Sequence, residues 1–127
     1  MYLIVSELYP NDKAKEVANL YIEAITKYPH NESLATPIVP VAVRTSLQGI
    51  ESISIYELKK GKADDALTYV ATRLAMFHDI EGYRWTTNLY LNLEEALKLI
   101  GMRRKSHKIH FLSVKERQGQ QWLCLKD

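Results

Sequence analysis

The chain has 127 residues, 46% of them hydrophobic and 25% charged, which is enough for one packed core and too apolar for disorder throughout. No apolar run approaches the roughly 20 residues of a membrane helix, and Met1-Tyr2-Leu3-Ile4-Val5 is too short and lacks the basic lead of a secretory signal. A single cysteine, Cys124, excludes an intramolecular disulfide, so the chain reads as cytoplasmic.

Charge is unevenly placed. Residues 1–101 hold 10 Lys/Arg and 13 Asp/Glu, whereas residues 102–127 hold 7 and 2. This predicts a mildly acidic domain over 1–101 and a basic extension over 102–127.

Met1–Leu8 is a dense apolar segment of strand length, stopped by Tyr9-Pro10-Asn11-Asp12. Asn11 or Asp12 can cap the helix that follows. Ala14, Val17, Ala18, Tyr21, Ala24, Ile25 and Tyr28 recur at helical spacing, and Pro29 ends the run by disfavouring helical backbone before it. Pro37–Ser46 reads as a strand with Val39, Val41 and Val43 on one face and Ile38, Pro40, Ala42 and Arg44 on the other. Its two prolines cannot donate to a sheet ladder, so it belongs at an edge.

Leu47-Gln48-Gly49 turns into Ile50–Leu58, where Ile53/Ile55 alternate with Ser52/Ser54/Tyr56. Lys59-Lys60-Gly61-Lys62 breaks this strand. Ala63, Leu67, Val70, Leu74 and Phe77 mark a second amphipathic helix, with Asp64 and Asp65 at its positive end. Tyr83–Leu91 alternates as a fourth strand. Asn92-Leu93-Glu94-Glu95 has capping-box form and opens a short helix that Gly101 closes. Ile109–Val114 and Trp122–Leu125 are spaced as a terminal hairpin.

The order β-α-β-β-α-β predicts an α+β, ferredoxin-like fold: an antiparallel sheet of order 4-1-3-2, with the first and third strands central. The near-continuous apolarity of the first strand fits burial on both faces. Two helices cover one face of such a sheet. The other, mixing Tyr, Ile, Pro and Ala with Ser, Thr and Arg, predicts burial against a second copy in a homodimer.

Ser54-Ile55-Tyr56-Glu57-Leu58-Lys59-Lys60-Gly61-Lys62, Phe77-His78-Asp79-Ile80-Glu81-Gly82-Tyr83 and Leu93-Glu94-Glu95-Ala96-Leu97 resemble a set of uncharacterised small prokaryotic proteins of about this length. More widely, the pattern over residues 1 to about 102 resembles the dimeric α/β-barrel superfamily, in which two ferredoxin-like subunits join their sheets around a cavity. That superfamily includes cofactor-free monooxygenases, haem-degrading enzymes, lactone isomerases and ligand-sensing regulatory domains. None of their catalytic motifs is matched residue by residue, so the resemblance implies a fold and no chemistry.

Candidate sites follow from chemistry. His78 beside Asp79 can serve as a general base, or can simply sit at a helix C-terminus. Arg44 with Ser52, Ser54 and Tyr56 can hold a carboxylate or phosphate in a mostly apolar cavity, or Arg44 can pair with a glutamate at an interface. Tyr83 and Trp85 form an aromatic wall for a flat ligand, or core. Glu7 becomes an interior carboxylate and an acid/base candidate if Leu3/Val5/Glu7, rather than Tyr2/Ile4/Ser6, line the cavity.

His107 and His110 lack partners at metal-ligand spacing, Cys124 lacks an activating pattern, and no phosphate or dinucleotide motif is present. No metal or cofactor is expected. The basic tail Arg103–Lys108 reads as a solvated linker rather than a nucleic-acid site. The function expected is therefore a homodimeric small-molecule-binding domain with its pocket on the sheet face near Arg44 and Tyr56. Its partners are itself and a small organic or anionic ligand, without nucleic acid or membrane. The alternative is a cofactor-free monooxygenase or isomerase using His78 or Glu7, and behind it an interaction module using the tail.

Overall fold

A computed structural model describes residues 1–102; the terminal hairpin, His107, His110 and Cys124 lie outside the described residues. The architecture is α+β. Strands β1 (Tyr2–Tyr9), β2 (Ala35–Ser46), β3 (Gly49–Leu58) and β4 (Arg84–Tyr90) form one antiparallel sheet, with helices α1 (Ala14–Lys27), α2 (Ala63–Leu74) and α3 (Leu93–Leu99). The chain divides into a compact unit, Met1–Tyr90, and a second unit from Leu91 that contains α3. No helix among the described residues is long and apolar enough to cross a membrane.

Strand order is β2-β3-β1-β4, so β1 and β3 are central and the proline-bearing β2 lies at an edge. There its missing donors can face away from the ladder. Strict alternation fails in β2. The register slips between Pro37 and Val39 and again between Val39 and Ala42, the second irregularity enclosing Pro40. Val39 consequently pairs with Ile55 and shares the face of Ala42 and Arg44, not that of Val43.

Neither Asn11 nor Asp12 caps α1. They fall inside a 3-10 turn, Asn11–Lys13, which Pro10 enters in extended conformation and which runs directly into the helix. The other end is as expected: Tyr28 N–H donates to the Ala24 carbonyl at 2.7 Å and Pro29 prevents another turn. In the second unit, Asn92 and Glu95 form a reciprocal capping box at 2.8 and 2.9 Å.

Both α1 and α2 pack on the β1–β3 face carrying Leu3, Val5, Tyr9 and Tyr56. Leu3, Val5 and Tyr56 meet Val70 and Leu74; Tyr9 meets Val17, Ala24, Phe77 and Ile80. Ile4, Ile53 and Ile55 point the opposite way by register.

Candidate functional site

The register settles the open question about β1. Glu7 stands opposite Ser52, Val5 opposite Ser54 and Leu3 opposite Tyr56, so all six lie on the face beneath the helices. Ser52 and Ser54 are buried there. This corrects the expected cluster of Arg44 with Ser52, Ser54 and Tyr56. Arg44 pairs in register with Glu51 on the other face, where its guanidinium lies 3.1 Å from the Glu51 carboxylate within its own hairpin. Alternation gave the right partition of β3, but the small hydroxyls, not the isoleucines, went inside.

Their position explains itself through Glu7. A carboxylate under a helix layer must find donors or lose its charge. The Ser52 hydroxyl donates to Glu7 Oε2 at 2.9 Å. Burial pushes the Glu7 carboxyl above its ordinary value; the Ser52 bond, the Tyr83 hydroxyl and the Arg73 charge pull the other way without overcoming it.

Glu7 and Ser52 lie on the floor of a groove of about 250 Å³ between α1 and the edge strand. Val17, Tyr21 and Ile22 of α1 form one wall, and Val41 and Val43 of β2 the other. Apart from Glu7, Ser52 and the tyrosine hydroxyls, the groove's lining is apolar, which is the usual character of a small-molecule site. A second hollow of about 320 Å³ lies over Ser6, Ala42, Arg44 and Ile53, but its one cation is already paired with Glu51.

Deeper under α2 is Arg73, only 8% exposed. Its Nη1 donates to the Tyr56 hydroxyl at a long 3.5 Å. Arg73 and Glu7 border a common cavity of about 40 Å³ with Tyr21, Ser54 and Tyr56. On its far side Arg73 borders a smaller one, of about 20 Å³, with His30, Asn31, Tyr56 and Tyr69. Desolvation and the Arg73 charge lower the His30 pKa, against a weaker opposite effect of Glu32.

Tyr83 is core: its ring stacks on Phe77 (centroids 4.8 Å apart) and on Tyr9 (6.0 Å). Its hydroxyl is buried near the Glu7 carboxyl but outside strict hydrogen-bond geometry, and burial reinforced by the Glu7 charge holds its proton far more tightly than usual. Trp85 stands opposite Glu7 on β4 and is 38% exposed. The expected aromatic wall is thus split between core and surface. His78 follows the second helical segment, is exposed, and borders none of these pockets.

Sequence reasoning missed Arg73, Tyr21 and His30. Arg73 left a signal: Ala66, Val70, Arg73 and Leu74 fall on one helix face, so a cation interrupts an apolar stripe. Tyr21 follows Val17 by one turn and looks like ordinary core. His30 sits in a polar loop, and nothing local marks it.

Among the described residues no group of three or more His, Cys, Asp or Glu side chains is placed to hold a metal ion. No family model and no curated protein matches the chain. Among solved structures, it is similar to a formyltetrahydrofolate deformylase from Pseudomonas putida KT2440, with a TM-score of 0.41 and 5% identity over 70% of this chain and 28% of that one. It is also similar to an unknown protein from Galdieria sulphuraria, with a TM-score of 0.37 and 7% identity over 73% of this chain and 47% of that one. The chain therefore spans less than half the length of either, and neither likeness assigns it to a family.

Proposed function

We propose that this chain is a ferredoxin-like domain that binds a small, mostly apolar molecule in the groove between α1 and β2. The ligand presents a hydrogen-bond donor or ammonium group to Glu7. The observation that carries this reading is a single carboxyl group, steadied by Ser52, on the floor of an otherwise apolar groove. Such a site gains affinity from apolar burial and orientation from one polar contact. The open sheet face supports a second element of the reading, assembly of two copies into a dimeric α/β barrel. On that face, register rows Val39–Ile55–Ile4 and Ala42–Ile53–Ser6 make an apolar centre, with Ile53 37% exposed. Native mass spectrometry tests the dimer directly; a monomer at micromolar concentration would remove it.

Ligand binding is tested with benzylamine and toluene as probes, followed by NMR titration of the Tyr21, Val41 and Val43 signals. Saturable binding is expected, tighter for benzylamine, with that preference lost in Glu7→Gln. Absence of saturable binding, or an unchanged preference in the variant, would overturn it.

Catalysis is the second reading, and one observation favours it. Burial holds the Glu7 carboxyl above its ordinary value, which is the condition for a carboxyl that exchanges a proton with a bound substrate. It needs no cofactor. His78, being exposed, takes no part in it.

A further inference from the structure

We infer that the small cavity between α2 and the loop after α1 is a carboxylate-binding site, with the Arg73 guanidinium as its anchor and the Tyr56 hydroxyl as second donor. This site is separate from the Glu7 groove, and the inference does not rest on the function proposed for that groove.

The argument begins with the cost of a buried cation. A guanidinium carries five N–H donors in a fixed fork and cannot lose its charge. Arg73 is 8% exposed, and among the described residues its one side-chain hydrogen bond is the 3.5 Å contact to Tyr56 Oη. No ion pair joins it to a carboxylate of the described residues; Glu16 pairs with Lys13 and Glu51 with Arg44. The one carboxyl that acts on Arg73 through its field is Glu7, across the other cavity both border, and burial favours the protonated form of that group. A buried arginine with no directly bonded carboxylate is costly, so the position favours a charge supplied from outside.

The surroundings specify its sign and shape. The cavity on the His30 side has no acidic residue in its lining: apart from Arg73, its polar groups are His30, Asn31, Tyr56 and Tyr69. The Tyr69 hydroxyl is already committed to the Pro29 carbonyl. Tyr56 accepts from Arg73 and so keeps its own proton to donate. The pocket thus offers a cation and a hydroxyl donor to whatever enters. Its enclosed volume of about 20 Å³ admits one oxygen-sized group, so only the tip of a ligand enters and the rest stays in the open mouth. A planar carboxylate can put one oxygen there against the guanidinium and keep the other toward the mouth, whereas a tetrahedral phosphate is bulkier.

The test uses the full chain with sodium formate, acetate, phosphate and chloride at matched ionic strength. Arginine Nε–H and histidine ring NMR signals are followed. Formate and acetate should shift the Arg73 and His30 signals saturably, and the His30 pKa should rise as the anion offsets the Arg73 field. Affinity should fall at least tenfold in Arg73→Lys, which keeps the charge and loses the fork, and severalfold in Tyr56→Phe. Should Arg73→Lys fail to fold, Tyr56→Phe decides the matter alone. Shifts that merely follow ionic strength, a response unchanged in these variants, or tighter binding of phosphate than acetate would each overturn the assignment. Benzylamine binding in the α1–β2 groove, whose lining does not include Tyr56, should persist in Tyr56→Phe, so failure here and failure of the groove reading are told apart.

Discussion

Ser52 and Glu7 face one another across the central β3–β1 pair, with the serine hydroxyl 2.9 Å from Glu7 Oε2. The two are 45 residues apart in sequence and meet only when the sheet forms. Removing the hydroxyl strands a buried carboxyl that no longer has this donor. Ser52→Ala should therefore destabilise the fold by about 1–3 kcal/mol and push the Glu7 pKa further up, because the lost bond was one of the influences holding it down. Urea unfolding measures the first effect and a side-chain carboxyl NMR titration the second. A downward shift in the titration would contradict the account.

Glu7 itself should make stability fall as pH rises. In the unfolded chain its carboxyl ionises near the ordinary value of about 4.3; in the folded chain burial keeps the proton on to higher pH. Between those two values the native state binds more protons than the unfolded state, so its advantage declines as pH increases through the window. Above the folded value the penalty is fully expressed and constant. Glu7→Gln has the same shape and no ionisation. Its Tm should match that of the parent near pH 4 and exceed it at pH 7, as scanning calorimetry across that range would show. An offset that does not vary with pH would mean that Glu7 does not titrate under the influence described.

The hairpin between β2 and β3 offers a sharper backbone test. Gly49 has φ +137°, and a Cβ built on it would collide with the Tyr9 carbonyl oxygen, a backbone atom that cannot swing aside. Gly61 also has positive φ, at +75°, but a Cβ there meets nothing within 4 Å. Gly61→Ala should therefore cost only the conformational strain, about 1–2 kcal/mol. Gly49→Ala should cost distinctly more, because strain and collision add. Denaturant midpoints of the two variants give the comparison directly, and equal losses would show that Tyr9 moves freely away.

Strand order was legible in the sequence because two independent signals agreed. The β-α-β-β-α-β sequence of elements left few arrangements, and Pro37 and Pro40 marked β2 as an edge. The slips in β2 were not legible: a run of valines at alternate positions looks regular whether or not an extra residue is inserted. The facing of β3 misled for a chemical reason. Ser52 and Ser54 look like solvent-side residues until Glu7 is known to lie under the helices and to need a donor. That fact depends on a strand 45 residues away. Arg73 was the one visible clue to a polar interior. It sits where α2 should present an aliphatic side chain, and it is buried there.

Arg44 provides the last prediction, since it was expected to hold a ligand together with Tyr56. Its side chain is 74% exposed and bonded to Glu51, and the register puts it on the face opposite Tyr56. An exposed cross-strand ion pair contributes roughly 0.2–1 kcal/mol, screened further by salt. Arg44→Ala should accordingly lower stability by no more than about 1 kcal/mol, and this small loss should shrink in 0.5 M salt. Binding of benzylamine in the α1–β2 groove should be unaffected, because neither Arg44 nor Glu51 lines the groove. Arg73→Lys should do the reverse and impair acetate binding whatever the salt-screened state of Arg44. If Arg44→Ala instead weakened binding of either probe by tenfold, the ligand would have to contact the open face, and the groove beneath the helices would lose its claim as the site.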